Sequence, residues 1–402
     1  MNDTWRTVKI REVLEQRVER GKNGDTLLSV TAKRGVIRHS ESGRRDTSNP
    51  DKSKYLRVHS GDVVYNTMRM WQGVSAVSSL DGIVSPAYTV CLPTAAADSR
   101  FLGHMLKLPK YVVEFKKRSQ GLVSDTWNLK YSEFSRIPVS IPPVREQKYI
   151  ADLLDTLDTQ IAATHQIISK LRSVREGLAR NALRVGARDD WLPSDWPLIE
   201  LGSILKNIDA GKSPDCPNIP ASAGNWGVLK VSAVGADGFL EYENKSIPSG
   251  ISIPFSAEVR EGDVLVTRAN TPELVGMACI VQNRPTARLL LSDKTWRINT
   301  DTTMNPAFLV EALRSAPIRR FMQIEATGTS GSMKNISKGA IRKARIPLPS
   351  LSEQERIVSI LKAQRAREDA EQRFLAGLET LKQGLMSDLL TGRVRVPVEA
   401  AS

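Results

Sequence analysis

Several short motifs in this chain come close to known chemistry, but each lacks a residue that the chemistry requires. Gly211-Lys-Ser213 is similar to the end of a phosphate-binding loop, but Lys206 stands where such a loop needs its first glycine. The histidines, His39, His59, His104 and His165, show no metal-ligand spacing and no obvious nucleophile partner. These patterns predict neither a nucleotide loop nor a metal centre.

Two further candidates for catalysis also fail. Ser85-Pro-Ala-Tyr88 is similar to the Asp/Asn-Pro-Pro-Tyr motif of amino-methyltransferases, but its third residue differs and no glycine-rich cofactor loop accompanies it. Asp51 with the distant Glu114-Phe-Lys116 fits a nuclease pattern that is common in basic proteins. The sequence therefore predicts a binding protein with no catalytic residues and no cofactor of its own.

The composition indicates a basic protein of two to three domains. The chain has 402 residues and a formal net charge of +13, which favours a polyanionic partner such as nucleic acid over a merely basic surface. The cysteines, Cys91, Cys216 and Cys279, are odd in number and far apart, which fits a reducing compartment. Because no apolar signal core or membrane span is evident, we expect a cytoplasmic protein.

An internal duplication organises the chain. Pro142-Pro-Val-Arg-Glu-Gln147 returns as Pro349-Ser-Leu-Ser-Glu-Gln354, a shift of 207 residues (349 − 142). The same shift relates Gly121 to Gly328 and Asn128 to Asn335. Each copy has short β-branched runs, a helical segment, a glycine-rich loop and a last short strand, which is typical of a mixed α+β domain.

A long helix follows each copy of the motif. The first carries a heptad stripe in which polar Thr164 and Arg175 interrupt the apolar positions Ile150, Leu154, Leu157, Ile161, Ile168, Leu171 and Leu178. About 39 residues at 1.5 Å each give a rod of roughly 58 Å. The second helix is more polar, and its pairing positions are predicted to be Ile357, Leu361, Phe374, Leu375, Leu378 and Leu385.

Chain order predicts how the helices pair. The second domain follows directly on the first helix, so a second helix that packs on the first must run back along it. We therefore expect an antiparallel coiled coil with a domain at each end and a pseudo-two-fold internal repeat. The alternative is that each helix merely covers its own domain.

Three stretches carry a resemblance to a known family: the duplicated pair Pro142–Gln147 and Ile346-Pro-Leu-Pro-Ser-Leu-Ser-Glu-Gln-Glu-Arg-Ile357, and the closing Leu381-Lys-Gln-Gly-Leu-Met-Ser-Asp-Leu-Leu-Thr-Gly-Arg-Val394. With these stretches, the chain resembles the specificity subunits of type I restriction-modification systems. The resemblance covers essentially the whole chain. It implies a target-recognition domain at 1–143, a spacer helix at 144–186, a second recognition domain at 187–350 and a second spacer helix at 351–393.

In that family each recognition domain reads one half of a split, asymmetric double-stranded DNA target. The resemblance implies that the helices set the spacing of the half-sites and dock two modification (methyltransferase) subunits, and that restriction subunits join this core. S-adenosylmethionine, ATP and Mg are then expected on the partner subunits. The polar centre of the second helix departs from an ideal pairing stripe.

The candidate DNA-reading residues lie in the matched glycine-rich loops and at strand ends. In the first copy they are Asn66, Arg69, Trp71, Ser124, Trp127, Asn128 and Lys130. In the second copy they are Arg268, Asn270, Ser332, Lys334, Asn335 and Ser337. The plainer reading is that Asn128 and Asn335 only cap turns and that Trp71 belongs to the core.

Two other functions remain open at this stage. A self-sufficient nuclease or methyltransferase would be active as an isolated chain and would depend on Asp51 or Glu114. An orphan DNA-recognition scaffold of another phage-defence system would bind DNA without a methyltransferase partner.

Overall fold

The computed structural model describes residues 4–22, 24–31, 34–43, 45, 49, 51–123, 126–183, 196–235, 237–252, 254–328 and 333–396, with the side chains of 180–183 excepted. The chain forms two compact units, one of residues 1–166 with 372–402 and one of residues 167–371. Each unit therefore consists of one of the two repeated domains and about half of each long helix.

The first unit begins with strands β1 (Arg6–Lys9), β2 (Leu14–Arg17), β3 (Leu28–Thr31), β4 (Gly35–Arg38), β5 (Leu56–Val58), β6 (Val63–Asn66), β7 (Ser75–Val77), β8 (Gly82–Val84) and β9 (Tyr88–Pro93). Helices α1 (Ser99–Met105), α2 (Pro109–Arg118) and α3 (Tyr131–Phe134), strand β10 (Pro138–Ile141) and the start of α4 (Val144–Leu183) complete it. Pro109 occupies the first turn of α2, where its missing N–H costs nothing.

The second unit contains strands β11 (Leu198–Glu200), β12 (Leu205–Ala210), β13 (Trp226–Leu229), β14 (Asn244–Ser246), β15 (Val264–Thr267), β16 (Ala269–Asn270), β17 (Ala278–Ile280), β18 (Arg288–Leu290), β19 (Thr295–Thr300), β20 (Lys334–Asn335) and β21 (Arg345–Pro347). Its helices are α5 (Pro306–Arg314), α6 (Ala316–Glu325), α7 (Lys338–Lys343) and the first half of α8 (Leu351–Leu389).

The two units share one antiparallel frame. The first has a four-stranded sheet in the order β2-β9-β6-β7 and a separate β1-β10 pair. The second has the order β12-β19-β15-β17 and a β11-β21 pair, which is the same topology. The predicted α+β class and internal repeat are confirmed. The units differ in their insertions, which are the β3-β4 and β5-β8 pairs in one and the β14-β13-β18 sheet in the other.

The principal core of each unit joins the sheet to its helices. In the first unit, the fully buried rings of Phe101, Phe115 and Phe134 pack in a cluster that also holds Ile150 and Leu154 of α4. In the second unit, Phe308 packs in a cluster with Ile357 and Leu361 of α8. The first turns of the long helices are therefore fixed to the domain that precedes them in the chain.

The glutamine of each repeated motif makes this attachment specific. Gln147 is buried, accepts a hydrogen bond from the amide of Asp98 (2.9 Å) and donates to the carbonyls of Pro142 and Ala96 (2.8 and 3.2 Å). Gln354 does the same with Asn305, Pro349 and Thr303. Since Asp98 and Asn305 are the N-caps of α1 and α5, the glutamine ties one helix start to another.

The long helices pair antiparallel within each unit. In the first unit, Lys382 of α8 contacts Asp158 of α4, and Glu379 of α8 lies 3.9 Å from His165 of α4. The residue numbers therefore decrease along α8 where they increase along α4, which is the antiparallel direction. In the second unit, Glu368 lies between Arg172 and Arg175, at 2.6 and 3.2 Å. Most predicted pairing residues are buried, namely Ile150, Leu154, Leu157, Ile168, Leu171, Ile357, Leu361 and Leu378.

The stripe of α8 is where the prediction needs correction. Phe374 is 56% exposed and lies outside the buried stripe. Buried Glu368, which is 7% exposed, is the repeat equivalent of Ile161 and keeps the register of the first helix. The position in the heptad therefore decides which residues of α8 are buried, even where a charged residue takes the place of an apolar one. The charge of Glu368 can be buried there because two arginines pair with it. Of the remaining pairing residues, Ile161, Leu178, Leu375 and Leu385 are half-buried.

Among the described residues, no helix combines the length and apolar character that crossing a lipid bilayer requires.

Candidate DNA interface

The predicted reading residues of the first unit lie together, although they come from separate stretches of the chain. The loop after α2 closes through a bridge between Gln120 and Asn128, and the amide of Leu129 then donates to the carbonyl of Thr67 at the end of β6 (2.9 Å). Gly121 is required there, because its φ is +152° and an added Cβ would lie 2.7 Å from the Thr126 backbone.

Two tryptophans and a lysine form the centre of this surface. The Trp71 and Trp127 rings meet edge to face, with centroids 5.3 Å apart. The Lys116 ammonium lies 5.7 Å from the Trp127 ring centroid. Both tryptophans are half-buried, and the indole of Trp71 donates to the carbonyl of Met68 (3.1 Å). Aromatic faces with adjacent cations are suited to stacking on bases and pairing with phosphates.

A cavity of about 650 Å³ adjoins this surface. Asn66, Arg69, Arg34, His39 and Tyr88 are among the residues that line it. The His39 Nδ1 atom is 2.8 Å from the Ser29 hydroxyl, whereas its Nε2 atom is buried without a hydrogen-bond partner. The residues lining the cavity therefore include one ring nitrogen without a hydrogen-bond partner, at His39, and the exposed Arg69.

The second unit repeats the arrangement with other side chains. Strand β16 pairs with β20, so that Asn270 faces Lys334 and Ala269 faces Asn335. Gly328 (φ +149°) is the equivalent of Gly121, since an added Cβ would lie 2.8 Å from the Met333 carbonyl oxygen. The strand end and the loop that were predicted separately are thus adjacent in both units.

Several predicted residues also have local structural roles. The Oδ1 atoms of Asn66 and Asn270 accept from the amides of Met68 and Thr271. Ser337 is the N-cap of α7 and accepts from the Ala340 amide (3.0 Å). The backbones of Asn128 and Asn335 close their loops by bridges to Gln120 and Thr327. Lys130 is exposed, while Ser124 and Ser332 lie outside the described residues.

The sequence alone missed other members of these surfaces. Lys338 lies 5.8 Å from the centroid of the Trp296 ring, and the predicted Arg268 lies at the same distance from that ring. Trp296, Lys338 and Lys116 are recognisable only once the domain is folded, because neither lysine is a sequence neighbour of the tryptophan that it approaches. A lysine within a helical segment gives no local signal of such a contact.

The structure also assembles a group that histidine spacing did not predict. His104, Asp155 and Asp158 bring ligand-type atoms within 4.8 Å of one another. The His104 Nε2 atom is 2.8 Å from Asp155, which also pairs with Arg100 (3.3 Å), while Lys382 contacts Asp158. Because two cations already pair with the carboxylates, we interpret the group as a charge-compensated contact between α1 and the paired helices.

Taken together, one α+β frame occurs twice, and each copy presents cationic, amide and aromatic side chains beside a strand end. This arrangement defines the class as a duplicated nucleic-acid-binding protein. The family model for the type I restriction modification DNA specificity domain matches residues 2–173 and 193–380. The chain belongs to this family, as the sequence resemblance predicted.

Characterised relatives agree with this assignment. The EcoKI specificity subunit of Escherichia coli (strain K12) is 26% identical over 319 residues, which is 76% of this chain and 68% of that protein. The MjaVIII specificity subunit of Methanocaldococcus jannaschii is 23% identical over 86% of this chain and 83% of its own length. The EcoEI specificity subunit of Escherichia coli is 33% identical over 172 residues, and the match spans 29% of that protein.

Solved structures show the same fold. The S subunit of a type I restriction-modification system from M. genitalium superposes with a TM-score of 0.60, at 13% identity over 96% of both chains. A chain from a second type I system, described for its complex assembly and conformational transition, gives a TM-score of 0.54 at 19% identity over 97% of this chain and 98% of its own length.

Proposed function

We propose that this chain is the DNA-recognition subunit of a type I restriction-modification complex, in which each recognition domain reads one half of a split, asymmetric target. The observation that carries the proposal is the repeated juxtaposition of a strand end and a glycine-hinged loop, with basic and amide side chains on both. Phosphate contacts from Lys and Arg would supply affinity, and a few side chains per domain would read base edges.

The chain is proposed to be non-catalytic and to work in the cytoplasm with other subunits. Two methyltransferase subunits would dock on the long helices, and restriction subunits would join them; S-adenosylmethionine, ATP and Mg would bind to those partners. The thiols support this assignment, because burial raises the pKa of Cys279 to about 12 and also raises the pKa of Cys91, which makes both poor nucleophiles.

Methylome sequencing tests the proposal. The chain would be expressed with its genomic neighbour methyltransferase in a host without other DNA methylation. We expect methylation at one split motif, and none when either protein is expressed alone. Methylation at random sites, or activity of the isolated chain, would contradict the proposal. If the chain binds DNA without any methyltransferase partner, the orphan DNA-recognition scaffold is favoured instead.

Exchange of one recognition domain provides the control. Replacing residues 1–143 by the same segment of another specificity subunit should change one half of the methylated motif and leave the other half unchanged. A change in both halves would show that the domains do not read DNA independently.

A further inference from the structure

A small cavity in the second unit is lined mainly by arginines. Its volume is about 250 Å³, and its lining includes residues of α4, α5, α6 and α8. The charged residues that line it are Arg175, Glu176, Glu311, Arg314, Arg319 and Arg365. All of them belong to the unit of residues 167–371, and none is a candidate DNA-reading residue. We call this feature the arginine cavity.

Glutamates compensate only part of the positive charge of the arginine cavity. Arg365 pairs with Glu311 (2.6 Å), and the Arg175 Nε atom lies 3.2 Å from the carboxylate of Glu368. That Nε atom is buried and its N–H is not aligned with any hydrogen-bond acceptor, so the contact is an ion pair only. Glu176 is exposed, where water screens its charge. Two of the four arginines therefore have a carboxylate partner.

The other two arginines, Arg314 and Arg319, are hydrogen-bonded to backbone carbonyls and not to carboxylates of the described residues. Each guanidinium donates to two carbonyls, at 2.7 and 3.1 Å from Arg314 and at 2.7 Å from Arg319. A guanidinium has five N–H donors, so these bonds leave three in each side chain for another acceptor. Burial lowers the pKa of both groups, and the positive charge of Arg365 lowers the pKa of Arg314 further. Both are half-buried cations without a carboxylate partner, which is costly unless an anion offsets their charge.

The internal repeat shows which charge is expected at this place. The shift of 207 residues that relates the two motifs also relates Asp158 to Arg365 and Lys382 to Arg175. In the first unit, Lys382 contacts Asp158, so that a cation meets a carboxylate. In the second unit, both equivalent residues are arginines. The second unit thus has a positive charge where its repeat has a negative one.

The start of α6 adds to the positive potential of the arginine cavity. Ser315, the N-cap of this ten-residue helix, lines the cavity. Its side chain makes no capping hydrogen bond, and its hydroxyl donates instead to the carbonyl of Ala312 (2.6 Å). The positive end of a helix dipole favours a negative group nearby. The helix start and the arginines therefore act in the same direction.

We propose that the arginine cavity binds a phosphate dianion, which supplies the negative charge that Asp158 supplies in the first unit. Guanidinium groups match phosphate oxygens with pairs of parallel hydrogen bonds. A phosphate monoester carries about −1.5 to −2 charge at pH 7 and can compensate both Arg314 and Arg319, whereas a single carboxylate compensates one cation. The cavity of about 250 Å³ is smaller than the roughly 300–1,000 Å³ of drug-sized ligand sites, which suits one phosphate group.

The phosphate is either a free ion or the terminal group of a larger ligand, since both present the same dianion. The inference goes beyond the proposed function, because no residue of the arginine cavity belongs to the reading surfaces. It therefore does not depend on which DNA sequence is read or on which subunits join the complex.

Isothermal titration calorimetry of the full-length chain with inorganic phosphate tests the site directly. One phosphate should bind per chain when chloride keeps the ionic strength constant. The thermal unfolding midpoint should rise with phosphate concentration, because a ligand that binds only the folded state stabilises it. A titration without saturable binding of inorganic phosphate would overturn the proposal.

A matched pair of charge reversals on α8 locates the site. Arg365→Asp introduces the carboxylate that the first unit has at this position and should weaken phosphate binding at least about tenfold, because it replaces an attractive charge by a repulsive one. Arg367→Asp makes the same charge change at an exposed residue that does not line the cavity, and it should keep the wild-type affinity. Equal losses in both variants would show a response to net charge alone and would overturn the site.

Arg319→Gln gives a second measurement that does not depend on how well Arg365→Asp folds. Glutamine keeps a hydrogen-bond donor for the carbonyls but removes the charge, so phosphate should again bind at least about tenfold more weakly. A folded Arg319→Gln chain with wild-type phosphate affinity would contradict the proposal.

Adenosine monophosphate distinguishes the two sources of the phosphate. If it binds the wild-type chain as tightly as inorganic phosphate and Arg365→Asp weakens it equally, the cavity holds the terminal phosphate of a larger ligand. If inorganic phosphate binds and adenosine monophosphate does not, the cavity holds the free ion.

Discussion

At the scale of single residues, the repeated motif owes its importance to its last side chain. Gln147 and Gln354 are both fully buried, and each makes hydrogen bonds to an N-cap amide and two carbonyls. The glutamate before them differs between copies. Glu146 pairs with Arg395 through both carboxylate oxygens (2.9 and 2.8 Å), whereas Glu353 pairs with Arg356 in the same helix. The hydrogen bonds of each glutamine are made to groups of the same chain, so we assign the glutamine the structural role of holding the long helix to its domain.

Gln147→Ala should destabilise the first unit by about 2–3 kcal/mol, because it leaves a buried amide and two carbonyls without partners. Gln354→Ala should do the same in the second unit. Chemical denaturation followed by circular dichroism measures the loss. Gln166→Ala, an exposed position on α4, is the control and should change the unfolding free energy by less than about 0.5 kcal/mol.

Arg69→Ala should weaken DNA binding and relax the sequence preference in one half of the target, by about 1–3 kcal/mol if the guanidinium reads a guanine. Arg69 is exposed beside the cavity of the first unit. Fluorescence anisotropy with single-base variants of each half-site provides the measurement. Arg136, which pairs with Glu133 (3.2 Å), serves as the matched control. An unchanged preference in both halves would remove Arg69 from the reading surface.

His104 should make the first unit acid-sensitive. Burial lowers its pKa below the ordinary value of 6.5 more strongly than the hydrogen bond to Asp155 raises it. The neutral imidazole is therefore favoured in the folded state, and its stabilising contribution is complete above pH 6.5 and lost as the pH falls through the lowered pKa. The unfolding free energy between pH 5 and 8 should fall on the acid side, and His104→Gln should flatten that fall. If the unfolding free energy instead rises on acidification, the hydrogen bond to Asp155 affects the pKa of His104 more strongly than burial does.

At the scale of elements, the helix pair tolerates a charged residue where its repeat has an apolar one. Glu368 is 7% exposed and lies between Arg172 and Arg175, while the equivalent position in α4 is Ile161. A buried charge that is paired on both sides fixes the register of two helices, because any shift would leave it uncompensated.

A double-mutant cycle should measure that coupling. Glu368→Ala and Arg172→Ala together should cost less than the sum of the single changes, because either substitution alone already removes the ion pair. The pair of Glu353 and Arg356 in the same helix is the control, and its coupling should be smaller than that of Glu368 with Arg172, because solvent screens charges that are more exposed. Equal coupling in both cycles would show that burial of Glu368 contributes nothing.

At the scale of the whole molecule, the chain keeps one frame twice and varies what is inserted into it. The sheets β2-β9-β6-β7 and β12-β19-β15-β17 share an order, whereas the strands inserted between the first and last strands of each sheet in sequence pair in different ways. Two different reading surfaces on one frame are what an asymmetric target requires. The net charge of +13 adds a contribution to DNA affinity that does not depend on sequence.

DNA affinity should therefore depend steeply on salt. If 6–10 phosphates are contacted, the dissociation constant should rise by about 10³–10⁵ between 50 and 200 mM salt. Anisotropy titrations of the complete complex with its target measure the slope, and the same titration with an unrelated duplex shows how much of it is independent of sequence. An affinity that is flat with salt would contradict the phosphate contacts.

Local patterns determined much of this protein from its sequence. The duplication, the two long helices, Pro109 as a break between α1 and α2 and the α+β class all follow from periodicity and turn residues, which act over a few positions. The two candidate stretches of each domain could be named, because strand ends and glycine-rich loops have clear local signatures. Family membership followed from the repeated motif and the helices that come after it.

Only the tertiary structure decided which of these pieces meet. The hydrogen bond that joins Leu129 of the loop to Thr67 at the end of β6 connects residues far apart in the chain, and so do the hydrogen bonds of Gln147 with Asp98 and Ala96. The exposure of Phe374 and the burial of Glu368 were likewise decided by the facing helix. Hydrophobicity predicts that a side chain can be buried, but packing against a distant partner determines whether it is.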